Sequence, residues 1–214
     1  SVGYGADPVA VVRQVQNLVV DGAWVLTGNH DAMAVSPPVQ VSNVGDSTAG
    51  WTHAQLNNEQ LDFLSKLPLT IHQNKLLLVH ASANDPELWR YVVDARSAGA
   101  SLDAAANIPE VRYVFGGHVH LQTLYYRGAG AGLMSFSPTP GIAVPVPKHR
   151  HWLATIGSVG QPRDGNTQAM YALFDMGKLQ LTFHRVIYDH HAAAAAIRRA
   201  GLAPFFADRL ESGR

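Results

Sequence analysis

The chain contains a run of three residues, Asn29 to Asp31, whose side chains could bind a metal ion or move a proton. The run follows an apolar stretch, Trp24 to Leu26, that predicts a short buried strand ending at a glycine. Asn29 offers a neutral oxygen ligand, His30 could act as a general acid, and Asp31 could orient the imidazole. A turn is the structural alternative, because Asn and Asp favour turns on their own account.

Histidines follow two further apolar stretches. His80 comes directly after residues 76–79, and His118 and His120 come after residues 111–115, and each stretch predicts a buried strand. Residues two apart in an extended segment project to the same side, so His118 and His120 could straddle a pair of ions. A lone histidine after a strand is more often a hydrogen-bonded structural residue than a ligand. Candidate metal ligands follow three predicted strands of one chain, and the ligands of α/β sheets bind at the carboxyl ends of strands. This coincidence favours a metal site.

The rest of the chain is predicted to position these strand ends. Alternating strands and helices in the first half, followed by strands in the second half, predict an α/β layered domain with a mixed sheet or two packed sheets. Residues 175–178 are predicted to be a hairpin turn, and residues 39–53 an irregular surface segment. Helices are expected over residues 8–20, 59–67, 85–97 and 102–107 and twice in the tail beyond Tyr188, and further strands over residues 132–136, 142–146, 152–156, 170–174 and 179–187.

Composition and charge argue against several classes of protein. With 214 residues the chain is most economically a single domain over residues 1–214. Lys plus Arg and Asp plus Glu number 16 each, so no basic field suggests a nucleic-acid partner. No apolar run approaches the ~20 residues that span a bilayer, and no signal peptide opens the chain, so a cytoplasmic protein without a membrane partner is expected. Cys is absent, so any metal must be held by nitrogen and oxygen ligands.

The motifs at the three predicted strand ends also resemble those of a known family. Gly28-Asn-His-Asp31, the Val-His80 pair and Gly117-His-Val-His120 are similar, in this order, to the later signature motifs of the calcineurin-like metallophosphoesterases. Residues 2–8, 85–86, 157–165 and 188–210 resemble a small prokaryotic branch of that family. The resemblance implies a four-layer α/β/β/α sandwich of two packed mixed sheets flanked by helices.

The resemblance also implies a centre with two divalent metal ions. Asn29, His80 and His118 would bind one ion, and His120 would bind the other. Two cations about 3.5 to 4 Å apart can clamp both oxygens of an in-line displacement and lower the pKa of bound water from 15.7 towards ~7. The implied nucleophile is a metal-bound hydroxide. Nitrogen and oxygen ligands suit Mn, Fe, Zn, Ni or Co, and ligand softness does not choose among these metals.

Further residues would act on the substrate. By the same resemblance His30 would lie beside the scissile phosphate and stabilise or protonate the departing oxygen, with Asp31 as its partner. Arg163, in a glycine-bounded loop, could contact the phosphate through its fork of donors, and a solvent-exposed loop arginine is an equally good interpretation. Tyr4 could border the pocket, although an aromatic residue in a loop more often serves packing.

The expected activity is hydrolysis of a small phosphorylated substrate: a phosphodiester, a nucleotide or a dinucleoside polyphosphate. A protein serine/threonine phosphatase would share the centre, and a non-catalytic phosphate-binding or regulatory domain would share the fold. Whether the protein is a homo-oligomer is left open by the sequence.

The chain departs from the family pattern at two places. The family has an early Asp-x-His pair and a metal-bridging Gly-Asp, which would stand immediately before Ser1, and neither is present. We therefore expect residues 1–214 to be an N-terminally truncated domain that binds metal weakly or binds a single ion. The alternative is a protein that has lost catalysis. Thr155-Ile156 stands where the branch has Asn-Pro, directly before Gly157 and a loop expected to border the pocket.

Overall fold

A computed structural model describes residues 2–128 and 132–214 of the chain. The glycine-rich stretch Ser1 to Gly5 is predicted from its composition to be a loop, and its first residue, Ser1, lies outside the described residues. The chain divides into two compact units. The first comprises the residues up to Leu69 together with Asp189–Ser212, and the second comprises Thr70–Tyr188 together with Gly213–Arg214. That the whole chain acts as a single domain stays a prediction.

The helices belong mainly to the first unit, and those predicted over residues 8–20 and 59–67 are confirmed. Helix α1 begins at Pro8, where a missing N–H is harmless, and helix α4 is capped by Asn57, whose side chain accepts a hydrogen bond from the Gln60 amide at 2.8 Å. The two predicted tail helices are confirmed. The bounds are α1 Pro8–Val20, α2 Asn29–Val35, α3 Val44–Gln55, α4 Asn58–Ser65, α5 Ala95–Ala106, α6 His190–Arg199 and α7 Pro204–Ser212.

Two predictions in the first unit are wrong. Residues 24–26 do not form a strand: Trp24 is 53% exposed, and the next backbone hydrogen bond runs from the Thr27 amide to the Pro68 carbonyl. The segment 39–53 is largely helical rather than irregular. Helix α3 begins after Asn43, whose side-chain oxygen accepts a hydrogen bond from the Asp46 amide at 3.1 Å. The polar composition of this helix hides it from a search for apolar spacing.

The second unit contains two sheets. The larger has the strand order β1-β2-β3-β7-β4-β5, with β2, β3 and β7 parallel to one another and the remaining pairs antiparallel. The smaller has the order β6-β9-β8 and is antiparallel in both pairs. The bounds are β1 Thr70–Gln73, β2 Leu76–Val79, β3 Tyr113–Gly116, β4 Gln122–Arg127, β5 Leu133–Phe136, β6 Ala143–Pro145, β7 Trp152–Ile156, β8 Ala169–Asp175 and β9 Gln180–Val186.

The larger sheet packs on both of its faces. Leu124 of β4 and Phe183 of β9 are fully buried in a core shared by the two sheets. On the opposite face, Leu102 of α5 packs against Leu77 and Val114 of the larger sheet. These layers confirm the predicted α/β fold class with packed sheets, although the smaller sheet is antiparallel rather than mixed.

The predicted helix over residues 85–97 is wrong, and its failure matters for the site. A single 3₁₀ turn, Pro86–Leu88, is flanked by Asp85 and Trp89 in left-handed conformations, with φ of 50° and 51°. Helix α5 starts only after Asp94, whose side chain accepts a hydrogen bond from the Ser97 amide at 2.7 Å. The short helix predicted over residues 102–107 is the second half of α5.

An ion-pair cluster joins α6 to α7 and gives a prediction for acid stability. Arg198 binds both carboxylate oxygens of Glu211, at 2.7 and 2.8 Å, and one oxygen of Asp208 at 2.8 Å. The hydrogen bonds from Arg198 lower the pKa of Glu211 from 4.5 to about 2. Because the pKa in the folded protein lies below that in the unfolded chain, this contribution to stability is present above pH 4.5 and is lost as the pH falls towards 2.

We expect Glu211→Gln to lower the melting temperature slightly at pH 7, since exposed ion pairs contribute little. The difference from the unsubstituted protein should shrink as the pH falls through this window. Thermal unfolding followed by circular dichroism measures it, and Glu59→Gln, at an exposed glutamate of α4, is the control. A difference that does not change with pH would contradict the assignment.

Across residues 2–128 and 132–214, no helix has both the length and the apolar character needed to cross a membrane.

Candidate metal centre

Asn29, His30 and Asp31 form the first turn of α2 rather than the end of a strand. Asp31 is 1% exposed and accepts hydrogen bonds from two backbone amides, Gly28 at 2.9 Å and Val2 at 3.2 Å. Its carboxylate therefore fixes the start of the helix and ties the N-terminal segment to it. Its predicted role as partner of His30 stays a prediction.

His30 is held on two sides by the N-terminal segment. Its Nε2 lies 2.6 Å from the hydroxyl of Tyr4, and the two rings meet edge to face with centroids 4.3 Å apart. Gly3 has φ of +127°, and a Cβ at this position would lie 2.6 Å from the imidazole ring of His30. The residue before Tyr4 must therefore be glycine, because it lies directly against the imidazole.

His80 and His118 lie at one edge of the larger sheet. Because β2 and β3 are parallel neighbours, the residues that follow them emerge at the same edge. The two imidazole rings are 5.0 Å apart between centroids. The structure thus brings together two of the predicted metal ligands.

His118 has the features of a metal ligand. It is 7% exposed, and its Nε2 is buried with no hydrogen-bond partner among the described residues. Burial lowers the pKa of His118, the positive charge of Arg163 lowers it further, and a hydrogen bond with the Trp89 backbone opposes both effects. The ring is therefore kept neutral, which is the protonation state that binds metals. A buried nitrogen without a partner fits a metal ion, because buried polar atoms otherwise find hydrogen bonds.

His120 is oriented by a backbone carbonyl. Its Nδ1 lies 2.6 Å from the Gln161 carbonyl oxygen and donates to it, because a carbonyl oxygen can only accept. Metal-binding histidines commonly donate their other nitrogen to a carbonyl in this way. The expectation that His118 and His120 lie on an extended segment is wrong. Their φ angles are +64° and +61°, a region that histidine seldom adopts and that is concentrated at functional sites.

Arg163 is positioned by a buried glutamine. Gln161 is 1% exposed, and its side-chain oxygen accepts hydrogen bonds from Nε and Nη2 of Arg163 at 3.1 and 2.7 Å. The backbone amide of Arg163 also donates to the His120 carbonyl at 3.2 Å. One loop therefore orients both a candidate ligand and a candidate phosphate-binding cation.

The described residues contain no group of three or more His, Cys, Asp or Glu side chains close enough to hold a metal ion. The four predicted ligands are divided between the two units: Asn29 belongs to the first, and His80, His118 and His120 belong to the second. Two histidines of the second unit each have a feature of metal ligands. The Nε2 of His118 is buried without a hydrogen-bond partner among the described residues, and the Nδ1 of His120 donates to a backbone carbonyl.

Comparison with known proteins decides the family. No protein-family model matches the sequence. The structure matches the crystal structure of a metallophosphoesterase from Sphaerobacter thermophilus with a TM-score of 0.85 and 31% identity, over 100% of this chain and 85% of that one. The chain belongs to the metallophosphoesterases. The resemblance predicted from its motifs is thereby confirmed, together with the α/β fold.

Two other proteins are similar over their length to this metallophosphoesterase. An uncharacterized protein of Methanocaldococcus jannaschii is 29% identical over 219 residues, which cover 100% of this chain and 84% of the relative. The structure of a hypothetical protein from Pyrococcus horikoshii has a TM-score of 0.76 at 16% identity, covering 100% of this chain and 82% of that one. At that identity the second likeness supports the fold alone.

Three residues around the histidines were not singled out from the sequence: Trp89, Tyr91 and Gln161. Trp89 and Tyr91 were assigned to a helix that does not exist, so their approach to the histidines was hidden. Gln161 lies inside the 157–165 motif, and its position two residues before Arg163 is the sequence feature that could have indicated a contact between the two side chains.

Proposed function

We propose that this metallophosphoesterase hydrolyses small phosphodiesters, nucleotides or dinucleoside polyphosphates by attack of hydroxide on phosphorus. The observation that carries the proposal is the buried Nε2 of His118, which has no hydrogen-bond partner among the described residues. The positive charge of Arg163 also lowers the pKa of His118. A neutral imidazole nitrogen suited to a metal and a guanidinium suited to a phosphate together favour a phosphorylated substrate.

Each residue has one proposed role. Asn29, His80, His118 and His120 would hold the divalent ions, which when bound polarise phosphoryl oxygens and lower the pKa of water. The guanidinium of Arg163, held by Gln161, donates hydrogen bonds to the phosphate oxygens.

His30 acts at the departing oxygen, either stabilising its charge or protonating it. The hydroxyl of Tyr4 at Nε2 keeps the imidazole in one orientation for this step.

Hydrolysis of bis-p-nitrophenyl phosphate tests the proposal. We expect full-length protein supplied with Mn²⁺ to release p-nitrophenolate and to stop when the metal is chelated. His72→Ala, at an exposed histidine of β1, should leave the rate unchanged. Binding of inorganic phosphate without any turnover would instead favour the non-catalytic domain, and preference for a phosphoserine peptide would favour the protein phosphatase.

The metal content tests the expectation that residues 1–214 bind metal weakly or bind a single ion. Elemental analysis showing two tightly held ions in residues 1–214 would contradict this expectation.

A further inference from the structure

The loop between β2 and α5 carries two aromatic residues beside the candidate metal ligands. It begins at His80 and is fixed at several points: the Ala83 amide donates to Oγ of Ser101 at 2.9 Å, and Arg90 pairs with Asp85 at 3.2 Å. Val92 is 2% exposed and belongs to the core. The loop therefore has a defined conformation, which is fixed by a hydrogen bond, an ion pair and packing in the core.

The aromatic rings of this loop lie against the two histidines. The Trp89 ring meets the His80 ring edge to face, with centroids 5.7 Å apart. The centroid of the Tyr91 ring lies 4.2 Å from that of the His118 ring. Trp89 is held in a left-handed backbone conformation, which costs free energy for a bulky residue. Packing in the core does not explain Tyr91, because it remains 54% exposed.

The chemistry of a phosphoester determines what reaches these rings. A substituent on phosphorus lies only a few bonds from the phosphoryl group, so a phosphoryl group held near His118 places its ester substituent on the adjacent surface. Here that surface is aromatic, and Leu88, at 55% exposed, adds apolar area beside it. Aromatic side chains bind planar bases by stacking and give aliphatic groups no comparable gain.

We propose that Tyr91 and Trp89 form a stacking surface for a planar aromatic substituent of the substrate, such as the base of a nucleotide. The inference rests on the proposed function and specifies its substrate class. Tyr91 presents its exposed part to the base, while the face towards His118 holds the ring in place. Esters of small aliphatic alcohols bind through the phosphate alone.

Adenosine 5′-monophosphate and ribose 5-phosphate form a matched pair of probes, since they differ only in the base. In Mn²⁺-loaded full-length protein, calorimetry should show the nucleotide binding roughly 5- to 150-fold more tightly. Tyr91→Leu should remove most of this difference between the two affinities, and Tyr91→Phe should keep it.

A second tyrosine–histidine stack provides the control. Tyr171 of β8 stacks on His184 of β9 with centroids 4.7 Å apart, so Tyr171→Leu removes the same kind of contact outside the proposed surface. It should leave both affinities unchanged.

The outcomes separate the two proposals. If inorganic phosphate and ribose 5-phosphate bind but the nucleotide binds no more tightly, the stacking surface is refuted and the phosphoesterase is not. If none of the three binds to metal-loaded protein and bis-p-nitrophenyl phosphate is not cleaved, the proposed function itself fails. The comparison in the unsubstituted protein decides the matter even if Tyr91→Leu does not fold.

Discussion

Replacing His30 with alanine is expected to lower the turnover of bis-p-nitrophenyl phosphate by about 10²- to 10⁴-fold, the usual range for loss of a general acid or base. The metal content should change little, because His30 is outside the proposed ligand set. Its imidazole is instead placed by the Tyr4 hydroxyl at 2.6 Å and by the bare backbone of Gly3. On the proposed mechanism, the substitution removes the group at the departing oxygen and does not remove a metal ligand.

The measurement pairs steady-state kinetics with elemental analysis of the same sample. His72→Ala serves as the matched variant, because it deletes an exposed imidazole whose Nε2 lies 2.7 Å from the Asn74 carbonyl in the same hairpin. Loss of metal from His30→Ala would show that His30 is a ligand and that its assigned role is wrong. Unchanged turnover would remove it from the mechanism altogether.

The parts of the fold that were predictable are those specified by local chemistry. Pro8 starts α1, Asn57 and Gln60 cap α4, and Asp175 accepts hydrogen bonds from the Gly177 and Lys178 amides to close the β8–β9 hairpin. The short strands of the second half could likewise be predicted, because glycine and proline separate them in the sequence. In each case the side chains that determine the structure are neighbours in sequence.

Two of the predictions that failed, the helix over residues 85–97 and the extended histidine pair, depend on backbone conformations that sequence rarely reveals. Asp85 and Trp89 adopt positive φ, and so the chain cannot continue as a helix from Pro86. His118 and His120 do the same, which turns an expected extended pair into a bend. Such conformations are uncommon outside glycine, and although Asp, Asn and His adopt them more often than other residues, residue type alone gives little warning of them. They occur where the loops bring histidines, Trp89 and Tyr91 together.

The roles of the candidate site residues stay predictions, but part of their arrangement could be predicted from sequence. The motif order predicted the family and placed histidines after neighbouring strands, and in the structure His80 lies beside His118. What sequence could not supply was the support for these residues. Gln161 lies 41 positions from His120, and only the folded chain shows that its carbonyl orients that ring.

Gly157→Ala is the second substitution with a large expected effect, in this case on stability. Gly157 follows β7 with φ of +89°, and an added Cβ would lie 2.1 Å from the sulfur of Met170 and 2.7 Å from its Cβ. Met170 is 2% exposed, and its sulfur accepts a hydrogen bond from the Ser158 amide at 3.2 Å. Backbone strain and overpacking together should lower the free energy of unfolding by about 2–4 kcal/mol.

Urea denaturation measures this change, and Gly160→Ala is the matched control in the same loop. Gly160 is exposed, and a Cβ there would meet nothing within 4 Å, so its substitution should stay within about 0.5 kcal/mol of the unsubstituted protein. Equal stabilities for the two variants would mean that Met170 moves aside and that Gly157 is not required by its surroundings.

The same substitution separates the two causes when it is combined with Met170→Ala. Truncating Met170 removes the sulfur and Cγ from the path of the new methyl group but leaves the positive φ and the Cβ contact unchanged. If overpacking dominates, the double variant should be more stable than the sum of the single effects predicts, because neighbouring substitutions that share one contact are not additive. If backbone strain dominates, the two losses in the free energy of unfolding should add.

In either case displacement of the 158–163 loop should also weaken phosphate binding, since Gln161 lies in this loop and accepts the hydrogen bonds that position Arg163.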